Sequence, residues 1–203
     1  AHAVSPWGPV AVLGLPRRSA HLRRSGGAGL PRRIRNSLYS LAVMADWELR
    51  DSSAADIEAV AELRAVVLRT DLQRLGRYDE QRVRQRLRDG FEPGHTWVIE
   101  VGGAFAGCVA LRPAENACWL EHFYLAPDVQ GRGIGSAVLG SLLERCDREG
   151  ATVRLNVLQG SPARKLYERH GFAVETEDAV DVFMVRAPVS AAPGSGDPDL
   201  GVD

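Results

Sequence analysis

The stretch DVQGRGIGSAV, residues 128–138, places glycines at 131, 133 and 135 directly ahead of a run with helical periodicity. Glycine loses more conformational freedom on folding than any other residue, so three in five positions mark a constrained backbone. Either the chain turns there in a way side chains forbid, or it must approach a ligand closely. Upstream, ACWLEHFYL (117–125) reads as a strand stopped by Pro127. Downstream, Ile134, Val138, Leu142 and Cys146 recur every fourth residue beside Leu139 and Leu143, a helix of about four turns that ends at Gly150. A dinucleotide fingerprint would need a further glycine at 136 or 138, where Ser136 and Val138 stand, and a Walker loop needs Gly-Lys where the only lysine is Lys165. What remains is Gln-x-x-Gly-x-Gly, Gln130 to Gly135, whose backbone amides form a nest at a helix N-terminus, suited to a pyrophosphate.

The rest of the chain supplies a sheet for this loop. WELR (47–50) reads as a first strand, with Ser52 or Ser53 capping a helix whose apolar face is Ile57, Val60, Ala61, Leu63, Val67 and Leu68. A short, strongly basic helix spans 79–88 and closes at Gly90. HTWVIEV (95–101) and AFAGCVALR (104–112), parted by Gly102 and Gly103, form a hairpin. TVRLNVL (152–158) is a further strand, and in SPARKLYERHGF Ser161 caps a helix with Pro162 first and Gly171 as terminator. Two short strands near 172–177 and 180–186 complete the order β, α, α, β, β, β, α, β, α, β, β. The fold class expected is α/β (α+β): a mixed, mostly antiparallel sheet of six to seven strands with helices on both faces.

WLEHFYLAPDVQGRGIG, followed some thirty residues on by VLQGSPARKLYERHGF, resembles the GNAT superfamily of acetyl-CoA-dependent N-acetyltransferases. The second segment carries that family's A-x-x-L-Y-E-x-x-G-F signature as Ala163, Leu166, Tyr167, Glu168, Gly171 and Phe172. The resemblance covers 46–186 in element order and 117–172 in motifs. It implies that the amides of Gln130, Gly131, Arg132, Gly133, Ile134, Gly135 and Ser136 hold the coenzyme A pyrophosphate, with the Gln130 and Arg132 side chains nearby. Arg132 is equally well read as a solvated surface charge. The strand before the loop splays from its neighbour, often at a bulge, and offers main-chain atoms of Phe123, Tyr124 and Leu125 to the pantetheine arm. Where family members often carry Asn, this chain has Gly160, so Asn156 or Ser161 is left to supply that polar contact.

The implied reaction is direct attack of an amine on a thioester. A primary amine is about a thousandth unprotonated at neutral pH, a cost of about 4 kcal/mol, so a base is useful. Glu121 is the candidate base, with a solvent-facing or arginine-paired Glu121 as the competing reading. Alternation places Trp119, Glu121 and Phe123 on one face and His122 on the other, so Glu121 and His122 are not expected to serve one site. Tyr167 is the candidate general acid for the departing thiolate; otherwise it is a helix aromatic packed on the sheet. Arg74, Arg77 and Tyr78 are the acceptor candidates, because arginines bind a carboxylate bidentately. Arg82, Arg84, Arg86 and Arg88 read as a solvated basic helix.

Charge and composition bound the partners. Residues 1–43 hold seven arginines and no acid; of 25 basic residues that leaves 18 against 26 acidic ones in the remainder, a net of -8. This Gly-, Pro- and Ser-rich prefix reads as a disordered basic extension added upstream of a natural start at Met44, or else a targeting segment or a nucleic-acid arm. Residues 46–187 form the expected N-acetyltransferase domain, and 188–203 a second disordered tail. Three cysteines with no metal-ligand spacing point to free thiols in a reducing, cytoplasmic compartment and to no metal. No apolar stretch is long enough for a membrane helix, so neither membrane nor nucleic acid is expected as a partner. The partners implied are acetyl-CoA as cosubstrate and an amine acceptor, with a homodimer through the terminal strands as the candidate assembly. The function expected is acetylation of a primary amine on a small molecule. A protein N-terminal or lysine acetyltransferase is the alternative, and a non-catalytic acyl-CoA sensor the alternative of another class.

Overall fold

The computed structural model describes residues 47–115 and 117–189; the expectations for residues 1–43 and 190–203 lie outside the described residues. Trp47–Asp51 (β1) leads through a short 3-10 turn into Ile57–Arg74 (α1) and Glu80–Gly90 (α2). Then come Thr96–Val101 (β2), Ala104–Ala114 (β3), Ala117–Leu125 (β4), Ile134–Arg148 (α3), Thr152–Leu158 (β5), Arg164–Arg169 (α4), Ala173–Glu177 (β6) and Asp181–Arg186 (β7). The element order is the one the sequence implies. The seven strands form one sheet in the order β1-β2-β3-β4-β5-β7-β6, antiparallel except for β4 with β5.

Apolar alternation in the strands and helical spacing in α1 to α4 put two cores on the two faces. On one face Val138, Leu139 and Leu142 of α3 and Leu166 of α4 pack with Leu120, Phe123, Leu125 and Leu155. On the other, Val60 and Leu68 of α1 and Val83 and Leu87 of α2 pack with Cys108, Tyr124 and Leu158. Each such side chain contributes roughly 1.5–3 kcal/mol of burial. Cross-helix pairs fasten α2 to α1: Arg84 to Glu62 at 2.6 Å and Arg88 to Glu58 at 2.8 Å. Two of the four arginines read as solvated are therefore engaged with α1. Among the described residues, no helix is long and apolar enough to cross a membrane.

Two irregularities in the middle of the sheet position the site. Cys108 faces Tyr124 and Ala110 faces Glu121, so two steps along β3 match three along β4. The extra residue is a bulge at His122, which carries φ 48. It shifts the alternation, and this corrects the sequence reading of the strand. Leu120, Phe123 and Leu125 share one core, while Glu121 turns with His122 toward the α1–α2 side, where Arg112 lies beside both. A Cβ on Gly107 would collide with the Tyr124 carbonyl, so only glycine lets β3 pass the bulged strand. The second irregularity is a parting of strands. β4 pairs with β5 only over Ala117–Trp119 opposite Thr152–Arg154, after which the two diverge.

At α4 the structure differs from the expected cap. Ser161 does not cap a full turn; residues 161–166 bond in i to i+3 fashion, Leu166 N to Ala163 O at 2.9 Å among them, and the helix proper starts at Arg164. The Ser161 hydroxyl reaches only the Ala163 amide, at 3.5 Å.

Candidate active site

The glycine loop and the two helices beside it form a cleft of about 610 Å³, lined by Gly131, Gly133, Gly135 and Ser136 on one side and by Ala163, Leu166, Arg169 and His170 on the other. Gly131 and Gly133 have φ 75 and 86, values that disfavour any side chain, and Gly133 is the N-cap of α3. The first intrahelical bond is Ala137 N to Gly133 O at 3.0 Å, so the amides of Ile134, Gly135 and Ser136 have no helical acceptor. With the dipole of a 15-residue helix behind them, they favour an anion. His170 Nδ1 meets the Leu166 carbonyl at 2.9 Å, which makes Nε2 the acceptor for the Ser136 hydroxyl at 3.1 Å. Arg132 is exposed beside the loop. Gln130 departs from the expectation: its side chain is buried and donates to the Leu125 carbonyl at 2.6 Å. It thus fastens the loop to the end of β4 and occupies one of the main-chain acceptors expected to be free.

Beyond Trp119 the edge of β4 toward β5 has no strand partner. Tyr167 of α4 is fully buried, its hydroxyl has no hydrogen-bond partner among the described residues, and its ring packs edge-on against Phe172. Burial, and then Tyr124, push its pKa well above the ordinary phenol range, so the group holds its proton. The Tyr124 hydroxyl accepts from Arg64 Nη1 and lies 3.3 Å from His122 Nδ1. Burial, with Arg64 second, drives His122 down to about 3, so the ring is neutral; its other nitrogen bonds the Gly90 backbone.

Glu121 is buried and held by Arg112, with Oε1 2.6 Å from Nη2 and Oε2 3.3 Å from Nε. Burial pushes its carboxyl up and Arg112 opposes that without cancelling it. A second carboxylate, not singled out from sequence, lies across the same face. Asp181 is 1 % exposed and accepts from Asn156 Nδ2 at 2.9 Å. Burial raises it to about 6 against the Asn156 hydrogen bond. Its folded value exceeds its unfolded one, so folding disfavours the ionised form: the penalty is absent below about pH 4, grows to pH 6 and is complete above it. Asp181→Asn is therefore expected to stabilise the fold by about 3 kcal/mol at pH 7 and by little at pH 4, as read from melting curves at the two pH values.

The acceptor candidates separate. Arg74 donates to the Gln159 carbonyl and pairs with Asp71 at 3.2 Å, its guanidinium lying against Gly160. Tyr78 lies beneath Arg69, 5.1 Å from ring centroid to guanidinium carbon, on the outer surface. Arg77 lines a small cavity between α1, α2 and the end of β5, together with Arg64, Arg82, Arg86, Leu158 and Asp181. Sequence reading missed Arg64, Arg82, Arg86, Arg169, His170 and Asp181. For Arg64 a signal existed: it falls on the i, i+4 stripe of Val60, Leu68 and Leu72, where a charge must be buried.

The model of the acetyltransferase (GNAT) family matches residues 58–172. No curated protein sequence gives a significant match. Several solved structures share the fold. The paia N-acetyltransferase of Thermoplasma acidophilum, in complex with coenzyme A, superposes with a TM-score of 0.58 at 20% identity, over 70% of this chain and 98% of that one. The ribosomal-protein-S18-alanine N-acetyltransferase of Escherichia coli gives 0.54 at 20%, over 73% and 97%. RimL, a ribosomal L7/L12 alpha-N-protein acetyltransferase in complex with coenzyme A, gives 0.52 at 19%, over 71% and 95%.

Proposed function

The chain belongs to the acetyltransferase (GNAT) family and is an acetyl-CoA-dependent acyltransferase, and we propose that its acceptor is a primary amine on a small molecule. The observation that carries the reading is the buried, unpartnered Tyr167 hydroxyl beside the strand edge that β4 exposes where it leaves β5. A hydroxyl left without a partner in a protein interior costs about 1–3 kcal/mol, and a substrate atom recovers that cost. The acceptor side supports a small amine, since the cavity beside α1 and α2 is narrow and walled by side chains.

Acetyl-CoA supplies an acyl group activated as a thioester. In this reading the amides of Gly131, Arg132, Gly133, Ile134, Gly135 and Ser136 hold its pyrophosphate, with Arg169 and His170 across the cleft. The main chain of Phe123 and Tyr124 holds the pantetheine arm. Gln130 acts by fixing the loop, and Leu125, whose carbonyl Gln130 occupies, forms the floor. Asn156, within β5, is tied to Asp181 of β7, whereas the Ser161 hydroxyl is 3.5 Å from the Ala163 amide at the start of α4. Glu121 takes the amine's proton as the new N–C bond forms and the C–S bond breaks, and Tyr167 Oη gives its proton to the departing sulfur. Holding the two reactants in line supplies much of the remaining acceleration.

A second reading, acetylation of a protein N-terminus, is favoured by the named activities of two of the structural neighbours. The three thiols are free, which fits a cytoplasmic enzyme, and β6, exposed along its length, offers an edge for pairing two copies. The test is thiol release from acetyl-CoA with amino acids, polyamines, aminoglycosides and alanine- or serine-initiated peptides. Small-amine-dependent release supports the proposal, and release with peptides alone transfers it to the second reading. Coenzyme A binding without release by any acceptor overturns both.

A further inference from the structure

Arg64 carries its charge into the interior. It is 3 % exposed, its Nη1 donates to the Tyr124 hydroxyl, and its Nε has no partner. No carboxylate pairs with it among the described residues. A guanidinium taken from water without a counter-charge costs several kcal/mol, which a fold retains only where something compensates it. Two more cations crowd the same place. Arg82 and Arg86 are four residues apart on α2 and line the cavity with Arg64. Arg86 is lowered first by burial and then by the charges of Arg64 and Arg82, so the three guanidiniums repel one another. The intervening Arg84 and Arg88 turn away to Glu62 and Glu58. The basic helix is thus sorted, one row paired with α1 and one row lining the cavity. Asp79 borders the cavity, but its Oδ1 caps α2 by accepting from the Arg82 amide at 2.7 Å. On the sheet side stands Asp181, committed to Asn156.

We propose that this cavity is the acceptor's anion pocket and that the acceptor is a small amine bearing a carboxylate or phosphate, its anionic group on Arg64, Arg82 and Arg86. The inference rests on the acceptor being a small amine and narrows its class. Location agrees: Arg64 holds the hydroxyl of Tyr124, a residue of the stretch of β4 that has left β5, so an anion on Arg64 lies on the α1–α2 face of that stretch. The pocket is about 20 Å³, room for one water-sized group, and the side chains of Arg77 and Arg82 that line it are exposed, so a larger anion requires them to rearrange.

The experiment compares kcat/KM for matched acceptors with full-length protein: leucine against leucinamide, and O-phosphoethanolamine against ethanolamine. The anionic member of at least one pair is expected to win by about 100-fold, and which pair responds tells carboxylate from phosphate. Arg86→Gln and Arg82→Gln are each expected to shrink that ratio about tenfold through KM rather than kcat, with melting curves confirming the fold. Neutral acceptors used as well as anionic ones, with thiol release intact, overturn the pocket and leave the acetyltransferase reading standing. If neither pair turns over, calorimetry of leucine and O-phosphoethanolamine against the coenzyme A-loaded protein decides. Saturable binding weakened by Arg86→Gln supports the pocket, and absence of binding overturns it.

Discussion

Tyr167→Phe is expected to lower kcat about 100-fold while leaving the KM for acetyl-CoA within a factor of about two and the melting temperature no lower than wild type. The three parts follow from one atom. The hydroxyl is buried with no partner, so its removal takes away an unsatisfied polar group, and the Phe ring keeps the edge contact that Tyr167 makes with Phe172 at 5.8 Å between centroids. A merely structural tyrosine would lose a hydrogen bond on substitution and melt earlier; this one has none to lose. Coenzyme A affinity is expected to persist because the proposed phosphate site is the glycine-loop cleft, whose lining does not include Tyr167. Because Tyr167 is raised well above the ordinary phenol range, it stays protonated at every pH the fold tolerates, so as the proposed acid its loss should lower the rate evenly across pH. A variant with wild-type kcat, or one that both melts early and binds coenzyme A poorly, would reduce Tyr167 to a packing residue.

How much of this was legible in the sequence depended on whether a residue's own chemistry reported its conformation. Gly131 and Gly133 did, because positive φ is a glycine habit, and the loop could be placed from spacing alone. His122 did not. A non-glycine residue at φ 48 leaves no trace in an alternating pattern, so although the resemblance implied a bulge in this strand nothing placed it at His122, and Glu121 and His122 were assigned to opposite faces. The anchoring of Gln130 was not legible for a related cause: its place in the loop puts the side chain near the proposed phosphate site, and only the tertiary fold offers it a strand carbonyl. The arginines of α2 looked uniform because periodicity gives direction but not partners. Only with α1 alongside do 84 and 88 find acids while 82 and 86 join Arg64. Asp181 could have been suspected as an acid opening an apolar strand, DVFMVR, but strand ends are commonly exposed, and its burial comes from α1, α2 and Asn156.

The assignment of the base carries the second large effect. Glu121→Gln is expected to lower kcat about 100-fold and to abolish the acid limb of the kcat/KM profile. Burial lifts Glu121 above the ordinary carboxylate range, with Arg112 pulling the other way, so the wild-type limb should lie at higher pH than a solvated glutamate would give. Arg112→Gln removes the opposing influence; the carboxyl must rise further, and the limb should move to still higher pH. The direction matters, because an Arg112 that merely bridged two strands would change stability without moving the limb. Stability at neutral pH should fall in Arg112→Gln, because the Glu121 side chain is 6% exposed and its carboxylate then stays buried without a partner, and should change less in Glu121→Gln. The competitor for the role is Asp181, whose own value of about 6 would put a limb in the same region. The two are separable by substitution. If the limb survives Glu121→Gln and vanishes in Asp181→Asn, the proton passes to the acceptor-pocket carboxylate, and Glu121 is left as the partner that orients Arg112 beside the bulge.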